Sequence, residues 1–276
     1  MKNNPSLEVY KGIEASVNAY LFYDEESSVL VDCLRNSIEA KELAKLIKSK
    51  NKTLTHILIT HGHPDHYIGM NVMKQEFPEA QIVVARQEIK NDIISFSEWM
   101  ESVGWLEKEP AMKPKSVINT AGFDYENNIS VLKAKELRLA KGARLQINSD
   151  YASAECEHLT TIYSEDLNAF LTGDFCYNLV HLWLAVSKEN IINWKRQLDI
   201  FKKEYSILYP IIYPGHGKFT DISLFDEVKQ YIENFEETIT ISKNRNDAME
   251  RMKAIYPNYQ EADFLLFNSV NALIPE

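Results

Sequence analysis

The sequence predicts an α/β fold in which strands and helices alternate within one large domain, and three observations predict it. Short β-branched runs stand between stretches with helical periodicity. Two of these runs end directly in histidine-bearing loops, as catalytic loops on a sheet commonly do. The 276 residues, 45% of them hydrophobic, are enough to bury a substantial core.

The elements follow in chain order. Residues 15–23 and 27–33 read as strands meeting in an antiparallel pair across the acidic turn 24–26. An amphipathic helix follows over 37–49, with Ser37 as its N-cap. The run 54–60 is a strand that opens straight into His61-Gly62-His63-Pro64-Asp65-His66. A helix over 69–77 and a strand over 80–85 continue the alternation. Residues 87–114 read as a helical insertion crowded with Phe96, Trp99, Met100, Trp105 and Leu106; a lid over the site and a packed cap fit this pattern equally. Strands return over 129–149, 160–165 and 167–174, with 165–168 as a hairpin turn between the last two. A helix over 188–203 leads to a strand over 207–217, which again ends in a histidine loop. Leu224, Val228, Tyr231, Ile232, Phe235 and Ile239 fall on one helical stripe and open a C-terminal helical region over about 222–276.

Composition narrows the function. A formal net charge of -10 repels a long phosphate backbone, so no nucleic-acid partner is expected. The Lys-rich stretch 41–52 reads as the solvated face of a helix. The opening residues lack the apolar core of a signal peptide and no run of eighteen apolar residues occurs, so a cytoplasmic protein with no membrane partner is expected. Cys33, Cys156 and Cys176 show no CxxC spacing, which argues against a disulfide framework or a sulfur-based zinc site.

Three histidines and an aspartate within six residues are costly to bury unless they share a partner, and a metal ion is the partner that suits them. A donor set without sulfur leaves coordination positions open to water, as catalysis requires. This stretch resembles the H-x-H-x-D-H signature of the metallo-β-lactamase superfamily. His158, Gly173-Asp174 and Gly215-His216 follow in the order that family shows. The resemblance covers roughly residues 16 to 220. It implies a four-layer αββα metallo-β-lactamase sandwich and two divalent metal ions, Zn2+ by preference. By the same resemblance His61, His63 and His158 hold one metal, Asp65, His66 and His216 hold the second, and Asp174 bridges them. One departure is plain: relatives carry G-H-T-x-G at the third-ligand segment, whereas this chain has Glu157-His158-Leu159-Thr160-Thr161.

The resemblance also implies a mechanism, in which a metal-bridged hydroxide cleaves a small ester, lactone or thioester while Asp65 and Asp174 position it and take its proton. β-Lactam cleavage, phosphodiester or nuclease chemistry, and a di-iron oxidoreductase are the competing readings. Tyr177 completes an Asp174-Phe175-Cys176-Tyr177 stretch similar to the D-x-x-Y of lactonase relatives, where the phenol meets the substrate carbonyl. A packed aromatic accounts for it equally well. His56 and Cys156 read as structural residues, while His181 and Trp183 fit either the lining of a pocket mouth or, by preference, packing in the core.

Overall fold

The computed structural model describes residues 5–274. Their contacts gather into two units, one running to Ser149 and taking in Thr160–Leu167, the other formed by Asp150–Leu159 and the chain from Asn168 onward. In the first unit, β1 (Ser6–Lys11), β2 (Asn18–Tyr23) and β3 (Ser27–Val31) pair antiparallel. The expected acidic turn joins β2 to β3, with Asp24 Oδ1 accepting from the backbone N–H groups of Glu26 and Ser27 at 2.8 Å each. Helix α1 (Ser37–Ser49) follows, but its cap is Asn36, whose side chain accepts from Glu39 N at 2.8 Å, so the cap lies one residue before the expected Ser37.

The sheet continues through β4 (Thr53–Ile59), and α2 (Pro64–Tyr67) and α3 (Met70–Glu76) lead on to β5 (Gln81–Val84). Helix α4 (Gln87–Ser102) occupies only the first part of the expected insertion; residues 103–114 are turns and a short 3-10 helix at Pro110–Met112. Gly104, at φ 76°, takes the left-handed conformation that stops α4 there. Helix α5 (Tyr125–Asn128) then leads into β6 (Ile129–Val131). Strands β3 to β6 are mutually parallel, and the order across the six-stranded sheet is β1-β2-β3-β4-β5-β6. Leu21, Leu30, Ile57, Ile59, Ile82 and Val84 of the sheet share one apolar core with Leu43 and Ile47 of α1, Met70 and Met73 of α3, and Ile89 and Ile93 of α4. Burial of this kind contributes about 25 cal/mol per Å² of apolar surface, which holds the strand ends at fixed positions. A smaller antiparallel ladder, β7 (Glu136–Arg138), β8 (Arg144–Asn148) and β9 (Thr161–Ser164), completes the unit.

The second unit is built on β10 (Ala169–Asn178) and β11 (Ile211–Gly217), which run parallel and are joined through α6 (Lys188–Tyr205). Every residue of β10 except Asn178 is buried, as a central strand requires. Helix α6 buries Trp194, Leu198 and Phe201. The register of β10 on β11 shifts around Gly173 and again before Tyr177. The expected apolar stripe runs along α7 (Leu224–Ile241), with Leu224, Val228, Tyr231, Ile232 and Phe235 buried and Ile239 half-buried. Helices α8 (Arg245–Ile255) and α9 (Phe267–Leu273) follow, as the C-terminal helical region predicts. Among the described residues no helix is long and apolar enough to cross a membrane.

Candidate metal centre

Strand β4 ends at Ile59, and the H-x-H-x-D-H loop begins one residue later. Pro64 occupies the first turn of α2, where its fixed φ favours the helix and its missing N–H costs nothing. That single turn places Asp65 and His66 directly after His63, the N-cap residue. Gly62 is required by space: a Cβ there would stand 2.7 Å from the Asp92 Cβ of α4. His61 and His66 are fully buried, His63 and Asp65 partly. The rings of His61 and His66 are 4.2 Å apart and those of His61 and His63 4.9 Å.

The buried carboxylate of Asp32, at the end of β3, organises this cluster. Its Oδ1 accepts from Thr60 N at 2.8 Å, and its Oδ2 accepts from the Thr60 hydroxyl at 2.8 Å and faces His66 Nδ1 at 2.8 Å. An anionic acceptor at Nδ1 keeps the ring proton there and leaves the His66 lone pair on Nε2. The Thr60 hydroxyl gives its only proton to Asp32 and so accepts from His61 Nδ1, 3.0 Å away, which leaves the His61 lone pair on Nε2 as well. With Nδ1 engaged on both neighbouring imidazoles, Nε2 is the nitrogen of each that a metal ion would bind. Gly69 allows the close approach of the chain after α2, since a Cβ there would meet the Cys33 carbonyl oxygen at 1.9 Å.

In the second unit Asp174, Tyr177 and His216 come together on the paired strands β10 and β11. The Tyr177 hydroxyl donates to Asp174 Oδ2 at 2.7 Å, His216 Nε2 lies 3.1 Å from the same oxygen, and the Tyr177 and His216 rings stack at 4.4 Å with 1° between planes. All three are buried. Gly215 makes room for this group, because a Cβ there would fall 1.8 Å from Asp174 Oδ1. Glu155, 1% exposed, joins them: Tyr177 Oη is 3.4 Å from its Oε1, and a carboxylate oxygen of Glu155 lies within 4.8 Å of one of Asp174. His158, three residues further on, is half-buried.

Imidazole nitrogens and carboxylate oxygens without sulfur, gathered at buried loop ends, form a donor set that suits a divalent metal. The residues kept apart from metal chemistry in the sequence have structural surroundings. His56 Nδ1 lies 3.0 Å from Thr55 Oγ1, and burial lowers its pKa. Burial pushes the Cys33 and Cys176 thiols well above the usual range, and Cys156 is half-buried. His181 sits among aromatic side chains with Nδ1 2.7 Å from Tyr231 Oη, and burial brings its pKa down to about 4. Asp32 and Glu155 are not legible as site residues in the sequence. Asp32 carries one faint signal, a carboxylate closing the otherwise apolar run of β3 beside the strand that bears the motif.

Because Asp32 fixes the donor form of two histidines, Asp32→Asn is expected to weaken metal binding about 10–100-fold while the protein stays folded. Asparagine tolerates the left-handed conformation found here, φ 59°. Competition with a chromophoric chelator measures the change, and unaltered affinity would remove Asp32 from the centre.

Comparison with known proteins agrees with this geometry. Residues 12–91 match the family model described as "Metallo-beta-lactamase superfamily". Over 72 residues the chain is 31% identical to the "Uncharacterized protein YobT" of Bacillus subtilis (strain 168), covering 26% of this chain and 30% of that one. Over 64 residues it is 38% identical to the "Hydroxyacylglutathione hydrolase" of Francisella tularensis subsp. novicida (strain U112), 23% of each chain. The chain therefore spans less than a third of the length of these curated relatives. Among solved structures, a metallo-beta-lactamase family protein from Thermus thermophilus superposes with a TM-score of 0.65 at 17% identity, covering 98% of this chain and 92% of that one. A metallo-beta-lactamase from Pontibacter korlensis gives 0.57 at 13% identity, covering 85% and 97%. The chain has the mixed α/β metallo-β-lactamase fold, and its H-x-H-x-D-H stretch lies within the segment that matches the family model.

Proposed function

We propose that this chain, with the signature and fold of the metallo-β-lactamases, is a metal-dependent hydrolase of small carboxylic esters, lactones or thioesters. The observation that carries the reading is the pair His61 and His66, each buried, each with Nδ1 engaged through Thr60 or Asp32 and its lone pair left on Nε2. His63, Asp65, His158, Asp174 and His216 are the further ligands the resemblance implies, and two Zn2+ ions are the metals these donor atoms suit best. Metal bound by these residues supplies Lewis-acid polarisation of a carbonyl and water of lowered pKa.

The side chains have separate tasks. Asp65 and Asp174 orient the attacking water and accept its proton, which carboxylates at such positions can do within hydrogen-bond reach. Tyr177 acts through Asp174, whose Oδ2 its hydroxyl holds at 2.7 Å. Along α4 and the turn after it, rings form a ladder that starts at the cluster: His63 to Phe96 at 6.1 Å, Phe96 to Trp99 at 5.3 Å, and Trp99 to Trp105 at 4.9 Å. Trp99 and Trp105 are 45% and 51% exposed, so they offer an apolar surface to an acyl group.

Among the three substrate classes the thioester is favoured, because the Francisella relative is named as a hydrolase of hydroxyacylglutathione. A screen of acylglutathione thioesters, acyl-homoserine lactones, simple aryl esters and nitrocefin, each with and without chelator, tests this. Chelator-sensitive turnover of a thioester is the expected result; turnover of nitrocefin alone would overturn the substrate assignment.

A further inference from the structure

We propose that the loop Asp150–Leu159 supplies its metal ligand through Glu155 and not through His158. The inference rests on the metal-hydrolase reading above and changes the donor at one position. Glu155, Asp174 and His216 are each 1% exposed. A Glu155 carboxylate oxygen lies within 4.8 Å of one from Asp174, and the Tyr177 hydroxyl reaches towards both, 2.7 Å from Asp174 Oδ2 and 3.4 Å from Glu155 Oε1.

A phenol has one proton to donate, so Tyr177 cannot serve both carboxylates at full strength at once. Two carboxylates this close and this deeply buried repel each other unless a cation joins them or one takes up a proton. A divalent metal meets that requirement, and carboxylate oxygen is as acceptable to zinc as imidazole nitrogen. Glu157 Oε1 accepts from Asn190 Nδ2 at 3.4 Å, and among the described residues His158 joins no cluster of donor atoms of the kind that brings Glu155 to Asp174. The residue the loop directs to Asp174 and Tyr177 is therefore Glu155, and the centre carries one more negative charge than an all-histidine third position would give it.

The test is the metal content and affinity of the full chain after loading with Zn2+ and dialysis, for wild type, Glu155→Gln, Glu155→His and His158→Ala, with the melting temperature recorded for each. Wild type and His158→Ala are expected to retain the same metal. Glu155→Gln is expected to lose affinity at least about 100-fold, beyond the roughly 10–100-fold that outer partners of a ligand cost. Glu155→His is expected to recover much of it, because imidazole is also a ligand. Metal loss in His158→Ala with retention in Glu155→Gln would overturn the proposal and leave the hydrolase reading standing. A wild-type protein that binds no zinc would overturn both. Should Glu155→Gln fail to fold, the His158→Ala result still decides, since retained metal supports the proposal and lost metal refutes it.

Discussion

Replacing Asp174 by alanine is expected to remove bound metal and to lower hydrolysis on the order of 10³-fold or more, a barrier increase of about 4 kcal/mol. The expectation is this large because Asp174 is the residue on which the second unit's polar cluster is assembled. Its Oδ2 accepts from the Tyr177 hydroxyl at 2.7 Å and faces His216 Nε2 at 3.1 Å, and Gly215 leaves space for Oδ1 that no other residue would leave. Alanine deletes the carboxylate proposed as a ligand, and with it the partner of the Tyr177 hydroxyl and of the His216 ring. Asp174→Asn keeps the shape and loses the charge, so it separates the two contributions: metal affinity should fall while the melting temperature stays near that of the wild type. Steady-state kinetics together with metal analysis check both variants, and an Asp174→Ala protein with full metal and full activity would rule out the assigned role.

Trp194→Ala is expected to cost about 3–5 kcal/mol of stability, the range for deleting a large aromatic side chain from a packed interior. Trp194 is completely buried on α6, and its indole N–H donates to the Phe175 carbonyl at 2.9 Å. Phe175 directly follows Asp174 on β10, and its ring packs against Tyr151 and Phe201. The substitution thus leaves a cavity and also orphans a carbonyl on the strand that carries Asp174. Trp194→Phe fills much of the cavity and forfeits only the hydrogen bond, so its cost should be nearer about 1 kcal/mol. Chemical denaturation measures both; equal costs for the two variants would mean that the hydrogen bond, not the packing, carries the effect.

What the sequence reveals and what it conceals divide along physical lines. The His61–His66 stretch is legible because its donors are consecutive and lie at the end of a β-branched strand, so motif and placement can be read together. Helix α7 is legible from one apolar stripe. Asn36 escapes notice as the cap because Ser37 is also a good capping residue and local sequence does not decide between neighbours. The insertion reads as helical throughout, yet Gly104 ends the helix and the remaining residues turn. Asp32 and Glu155 are hidden for a different reason. Each is a lone carboxylate in an ordinary local context, and only tertiary pairing, Asp32 with Thr60 and His66, Glu155 with Tyr177, shows what it is for.

Whether this chain works through bound metal is decided by the metal content of the purified wild-type protein, measured alongside its hydrolytic activity before and after chelation. Close to two equivalents of divalent metal per chain, mainly zinc, are expected, with activity lost on chelation and regained when Zn2+ is returned. Full hydrolytic activity in a metal-free preparation would refute the metal-dependent reading.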